Sequence, residues 1–166
     1  MSKAFPILRS LSLVNLNGIT VRTLDLVELQ ELLSPSAYSN FGNTVSLLGE
    51  NGAGKTTILG AYQLALMGDI RFVSLGTSDT FQKTQKLADS EMFHRLGNPS
   101  MVALEVQTRS QQRHLYLIHA KKSSGINIEM TRMRLVLPKG VEPMSCLALQ
   151  EGHSWRPLTP HMVRDT

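Results

Sequence analysis

The segment Gly49-Glu50-Asn51-Gly52-Ala53-Gly54-Lys55-Thr56-Thr57 constrains this chain more than any other. Its spacing is G-x-x-x-x-G-K-[ST], in which successive backbone N–H groups wrap a phosphate chain. A side chain at Gly49, Gly52 or Gly54 would crowd that approach. Lys55 is placed to set a cation against β- and γ-phosphates, and the Thr56 hydroxyl to ligate Mg²⁺. The flanks fit. Val45-Ser46-Leu47-Leu48 reads as a short strand entering the loop. Thr56 to Met67 reads as the helix leaving it, with Ile58, Leu59, Ala61, Tyr62, Ala65 and Leu66 as its apolar set and Gly68 as a stop signal. Residues 49–57 are therefore expected to hold ATP, with Mg²⁺ on Thr56. The alternative is a Gly-rich turn in an ordinary α/β domain.

The chain has 166 residues, 42% of them hydrophobic, enough for one domain with a sizeable core. No long apolar run exists to span a membrane. Arg9 and Asn15 interrupt the N-terminal stretch, against a secretory signal. A single cysteine, Cys146, has no internal disulfide partner and is expected as a small buried apolar residue. These features favour the cytoplasm. The net charge of +4 is uneven. Residues 1–80 carry five Lys/Arg against six Asp/Glu, residues 81–134 nine against four, and residues 135–166 three against three. A basic central third suits a polyanion such as DNA, with Arg109, Arg113, Lys121, Lys122, Arg132 and Arg134 as candidate contacts. A solvated basic face is the alternative.

Phe5 to Val14 reads as a strand, Asn15-Leu16-Asn17-Gly18 as a turn, and Ile19 to Leu24 as the returning strand of a hairpin. Asp25, with Glu28 three residues on, reads as the N-cap of a helix carrying Leu26, Leu29, Leu32 and Leu33. Ser34-Pro35-Ser36 ends it. Beyond Gly68 a short strand is expected over residues 70–75, a polar loop over 76–90 and a helical turn over 90–96. Alternation then returns. Val102, Leu104 and Val106 mark one strand, residues 108–112 a turn, and residues 114–119 the next strand. Segments 126–130 and 133–137 are expected as two more, making an antiparallel meander. From Glu151 periodicity fades, which predicts a frayed tail over 151–166 with Trp155 as a packing anchor.

The stretch Leu8-Arg9-Ser10-Leu11-Ser12-Leu13-Val14-Asn15-Leu16-Asn17-Gly18 resembles the opening strand of SMC-type heads. With Arg22-Thr23-Leu24-Asp25-Leu26-Val27-Glu28-Leu29 and the Gly-rich loop, residues 8–67 resemble the MukB family of SMC-like bacterial chromosome-partition proteins. The chain departs from that pattern at Leu16, Ile19 and Thr20, where aromatics are expected. Its link over residues 34–44 is also longer, and Gly49-Glu50-Asn51-Gly52 is closer to the related MksB type. The resemblance implies an α/β fold, a P-loop NTPase of ABC/SMC head type, with residues 1–150 as the N-terminal half of the head. It further implies ATP-gated head engagement in chromosome condensation and segregation. Its implied partners are the C-terminal half of the same head, a homodimeric second copy, a kleisin-type subunit and DNA in the nucleoid. No membrane is implied.

A hydrolysing site needs a second acid on Mg²⁺ and a carboxylate to orient water. No apolar strand in the sequence closes on Asp-Glu, and no L-S-G-G signature occurs. No catalytic residue is therefore expected here, and the chain reads as half of a split site, inactive alone. Gln82, Gln85 and Gln107 are candidates for a Mg²⁺-sensing glutamine, with a surface role as the alternative. Arg71 is a further candidate toward nucleotide. His94, His114, His119, His153 and His161 lack metal-ligand spacing with Cys146. Two other readings stand beside the first: another cassette-type ATPase fragment of DNA repair or plasmid defence, and a non-catalytic DNA-binding module.

Overall fold

The computed structural model describes residues 6–17, 19–26, 50, 54–68, 98–122 and 128–164. Among these residues, five strands form one sheet: β1 (Ile7–Leu16), β2 (Ile19–Asp25), β3 (Ser100–Gln107), β4 (Arg113–Lys122) and β5 (Ile128–Leu137), in the order β2-β1-β3-β4-β5. Every pairing in it is antiparallel. Helix α1 (Lys55–Met67) lies on one face. Among the described residues, a 3₁₀ turn (Pro143–Cys146), the hairpin β6 (Ala148–Glu151)–β7 (Ser154–Pro157) and the short α2 (Pro160–Arg164) follow. The described part is thus a mostly antiparallel β domain with few helices. The strand expected over residues 45–48, the part beyond Leu26 of the helix expected after Asp25 and the elements expected over 70–96 lie outside the described residues.

Period-two alternation builds a core on each side of the sheet. On the α1 side, Leu11, Leu13, Val102, Leu104, Ile118 and Ala120 enclose Ala61 and Leu64 of the helix. On the opposite side, Val14, Met101, Ala103, Leu115, Leu117 and Leu137 pack with Cys146, Leu147, Ala148 and Leu158. The central strands are consequently buried on both faces, unlike a sheet with one wet side.

Two irregularities in β1 set its geometry. The register with β3 shifts between Leu8 and Ser10, making Arg9 the extra residue of a bulge. Near the other end, Asn15 sits at φ 50. Val14 before it packs on the C-terminal side, yet Leu16 after it packs on the α1 side. The left-handed residue between them switches the face. Leu16 pairs directly with Ile19, and Asn17 sits at φ 39. An Asn-Gly reversal requires this of its first residue.

Asp25 ends β2, paired with Ser10, and Leu26 directly after it is helical, where the sequence places the first residue after an N-cap. Several sequence expectations are corrected. β1 runs to Leu16, so the turn is shorter than residues 15–18. Leu59 and Leu66 are not core residues of α1: both are about half exposed, while Leu64 is fully buried. The expected pair of strands after residue 126 is one strand, β5, because alternation continues through Thr131 and Arg132. The tail is not frayed through Pro157. It forms the β6–β7 hairpin, Leu158 donates its N–H to the Leu147 carbonyl at 2.7 Å, and Trp155 packs on the core.

Candidate nucleotide-binding site

Helix α1 begins on Gly54 at φ 82, ψ 9, a left-handed conformation that an L side chain resists. A Cβ built there meets nothing within 4 Å, so the requirement for glycine is conformational. Gly54 accepts the first helical hydrogen bond, from the Ile58 N–H at 3.0 Å. No side chain caps this end, and the first turn carries no acid. Its N–H groups and the positive end of the helix dipole are therefore not neutralised within the turn, which suits a phosphate. Lys55 Nζ donates to the Glu50 carbonyl at 2.7 Å, so the lysine reaches back along the loop it follows. Thr56 is exposed. Gly49, Asn51, Gly52 and Ala53 lie outside the described residues.

The rest of α1 anchors that turn. Ala61 and Leu64 are fully buried against the sheet, with Ile58, Tyr62 and Ala65 beside them. Gly68 closes the helix at φ 67, its N–H donating to the Leu64 carbonyl at 2.8 Å, as its place in the sequence predicts. The Arg132 side chain passes over this C-terminal end: a Cβ built at Gly68 comes within 3.5 Å of its Cδ. A guanidinium there favours the negative end of the helix.

One partner of the motif was invisible from spacing. Asn17 Nδ2 donates to Thr57 Oγ1 at 2.8 Å, joining the β1–β2 turn to the first turn of α1. The Asn-Gly pair signalled the turn, but nothing in the sequence signalled what the turn touches.

The candidate DNA contacts divide. Arg113 is engaged within the fold. Its Nε donates to buried Glu105 Oε1 at 2.6 Å, and its Nη atoms donate to the Pro138 and Val141 carbonyls at 3.2 and 3.0 Å. Arg132 and Arg134 are exposed on the α1 side of β5, where Arg134 lies over the Tyr116 ring at 5.9 Å. Lys121 is exposed in alternation with Leu115 and Leu117, which places it on the opposite face. Arg109 is exposed in the β3–β4 turn. Lys122 ends β4, paired with Ile128. Gln107 is bonded to the Arg9 and Gln111 side chains, whereas Gln82, Gln85, Arg71 and His94 lie outside the described residues.

No group of three His, Cys, Asp or Glu among the described residues is arranged to hold a metal. His114 and His119 are buried β4 residues on opposite faces. Burial lowers the His119 pKa, and the charge of Lys121 adds to that. Burial raises the Cys146 thiol. Among the described residues no helix is long and apolar enough to cross a membrane.

A family model described as MukB N-terminal matches residues 6–154. The match spans the sheet, α1, the Gly-rich motif and most of the β6–β7 hairpin, well past the residues 8–67 on which the sequence resemblance rested. The chain therefore belongs to the MukB N-terminal family and is part of a chromosome-partition protein.

Proposed function

We propose that this chain is the ATP-binding N-terminal half of a MukB-type head, a P-loop NTPase of ABC/SMC type. In this reading the main chain of residues 49–57 wraps the triphosphate of ATP. Lys55 neutralises the β- and γ-phosphates, and the Thr56 hydroxyl takes one position on Mg²⁺. The acids that complete the metal site and orient water come from the C-terminal half of the same head. A second copy and a kleisin-type subunit complete the assembly, which engages DNA in the nucleoid when ATP is bound.

One observation carries the reading. Helix α1 opens on a left-handed glycine inside G-x-x-x-x-G-K-T, with a first turn free of acids and anchored on the sheet by Leu64. Family membership supports the chromosomal role. The test is calorimetric titration of the chain with Mg-ATP, beside Lys55→Ala. Loss of most of the affinity in Lys55→Ala is the expected result. Equal affinity in the two proteins removes Lys55 as the phosphate cation and the reading with it.

A further inference from the structure

Two of the three non-glycine residues with positive φ among those described, Asn15 and Asn17, stand at one hairpin tip, and each bonds a different element. Asn15 Nδ2 donates to the Pro99 carbonyl at 3.2 Å, and Ser100 Oγ donates to the Asn15 carbonyl at 2.5 Å. These reciprocal bonds fix the tip to the start of β3. Asn17 Nδ2 then donates to Thr57 Oγ1, 5% exposed as a residue, in the first turn of α1. Left-handed backbone at a non-glycine residue persists where its surroundings hold it, and such residues gather at functional places.

The first turn of α1 needs such a brace. Gly54 brings no capping side chain, and an acid, which would stabilise the turn from within, would also repel a phosphate. Asn17 meets the need from outside. As a neutral amide donor it pins the turn through Thr57 without placing a negative charge on it. We infer that Asn17 is a positioning residue for phosphate binding, holding the first turn of α1 to the sheet through Thr57 so that its N–H groups keep a fixed aim. The inference rests on the nucleotide reading above and assigns the N-terminal hairpin a part in that same site.

The experiment measures Mg-ATP affinity and thermal midpoint of the whole chain for wild type, Lys55→Ala, Asn17→Gly, Thr57→Val, Thr57→Ser and the Asn17→Gly/Thr57→Val double variant. Glycine at position 17 admits the left-handed backbone and removes the amide, and the thermal midpoint reads any cost of the added backbone freedom. Asn17→Gly and Thr57→Val are each expected to weaken binding about threefold to tenfold, the range of one hydrogen bond. The double variant is expected to be no weaker than either single one, because both remove the same bond. Thr57→Ser keeps the acceptor and is expected to bind within about twofold of wild type. A merely structural role would lower the thermal midpoint with affinity unchanged. Asn17→Gly binding like wild type while Lys55→Ala loses affinity overturns the brace and leaves the nucleotide reading standing. Failure of wild type to bind, or binding indifferent to Lys55→Ala, overturns both.

Discussion

Arg113 Nε lies 2.6 Å from Glu105 Oε1 beneath the C-terminal side of the sheet, where Glu105 is 3% exposed. Ser10 Oγ donates to the second carboxylate oxygen at 2.8 Å, and Arg9 Nε stands 3.7 Å from the first. A buried carboxylate is tolerated only with partners of this kind. The bulge at Arg9 brings both N-terminal partners to it, and Arg113 extends the cluster to the carbonyls of residues 138 and 141. Strands β1, β3 and β4 and the segment after β5 are thus joined through one acid.

Removing Arg113 leaves that acid with Ser10 and the more distant, more exposed Arg9. Arg113→Met is expected to cost up to about 3–5 kcal/mol, the penalty for leaving a buried charge uncompensated, lessened by the partners that remain. Glu105→Leu is expected to cost less, because Arg113 keeps two carbonyl acceptors and some solvent. The double variant is expected to recover most of the loss. Urea unfolding midpoints measure all three. Arg113→Met within about 1 kcal/mol of wild type would show that the pair does not hold this face.

How much of this was legible beforehand depends on the residue. The hairpin, the β3–β4 meander and the closure of α1 at Gly68 followed from alternation and turn chemistry, which are local. The buried face of α1 did not. Ile58, Leu59, Ala61, Tyr62, Leu64, Ala65, Leu66 and Met67 surround the helix axis, so no single stripe identifies the inner side. Only the sheet, by contacting Leu64 and leaving Leu59 outward, decides it. The β6–β7 hairpin was hidden because four-residue strands carry too little periodicity, and its order rests on single anchors such as Leu158. Arg113 read as a free cation because its acid lies eight residues away across a turn. Within the candidate site the motif was legible as spacing, whereas the Asn17–Thr57 bond, a contact between residues forty apart, was not.

The split of basic residues predicts that one face of the sheet meets DNA. A duplex lying across Arg132 and Arg134 on the α1 side is out of reach of Lys121 on the other. Arg132→Ala and Arg134→Ala are each expected to weaken duplex binding and to lower the slope of log affinity against log salt by about one. Lys121→Ala is expected to leave that slope unchanged. A slope altered by Lys121→Ala but by neither arginine would move the DNA to the opposite face. Binding without salt dependence would leave all of them as solvated charge.

Stability should also respond to acid through His119. Burial holds its folded pKa below the ordinary value of 6.5. Below that pH the unfolded chain binds a proton that the folded chain resists, so the unfolded state gains. The contribution of His119 is therefore fully present above about pH 6.5 and falls away as pH drops toward its lowered folded pKa. Thermal midpoints at pH 7.5, 6.5 and 5.5 are expected to decline less steeply in His119→Leu than in wild type. Parallel declines would mean that other groups carry the acid sensitivity.

The chain alone should bind Mg-ATP without turning it over. Thr56 is the hold on the metal that the motif supplies, while the first turn of α1 has no acid and no apolar strand in the sequence closes on Asp-Glu. Mg²⁺ would then sit between one hydroxyl, phosphate oxygens and water, with no carboxylate to orient the attacking water. Phosphate release is accordingly expected at the uncatalysed rate. Affinity is expected to fall when EDTA replaces Mg²⁺, and Thr56→Ala to shrink that difference, because the variant has already lost the metal's contact with the protein. Turnover by the isolated chain near the rate of an intact head would place the missing acids within these 166 residues and refute the split site. An unchanged Mg²⁺ effect in Thr56→Ala would assign the metal to another side chain.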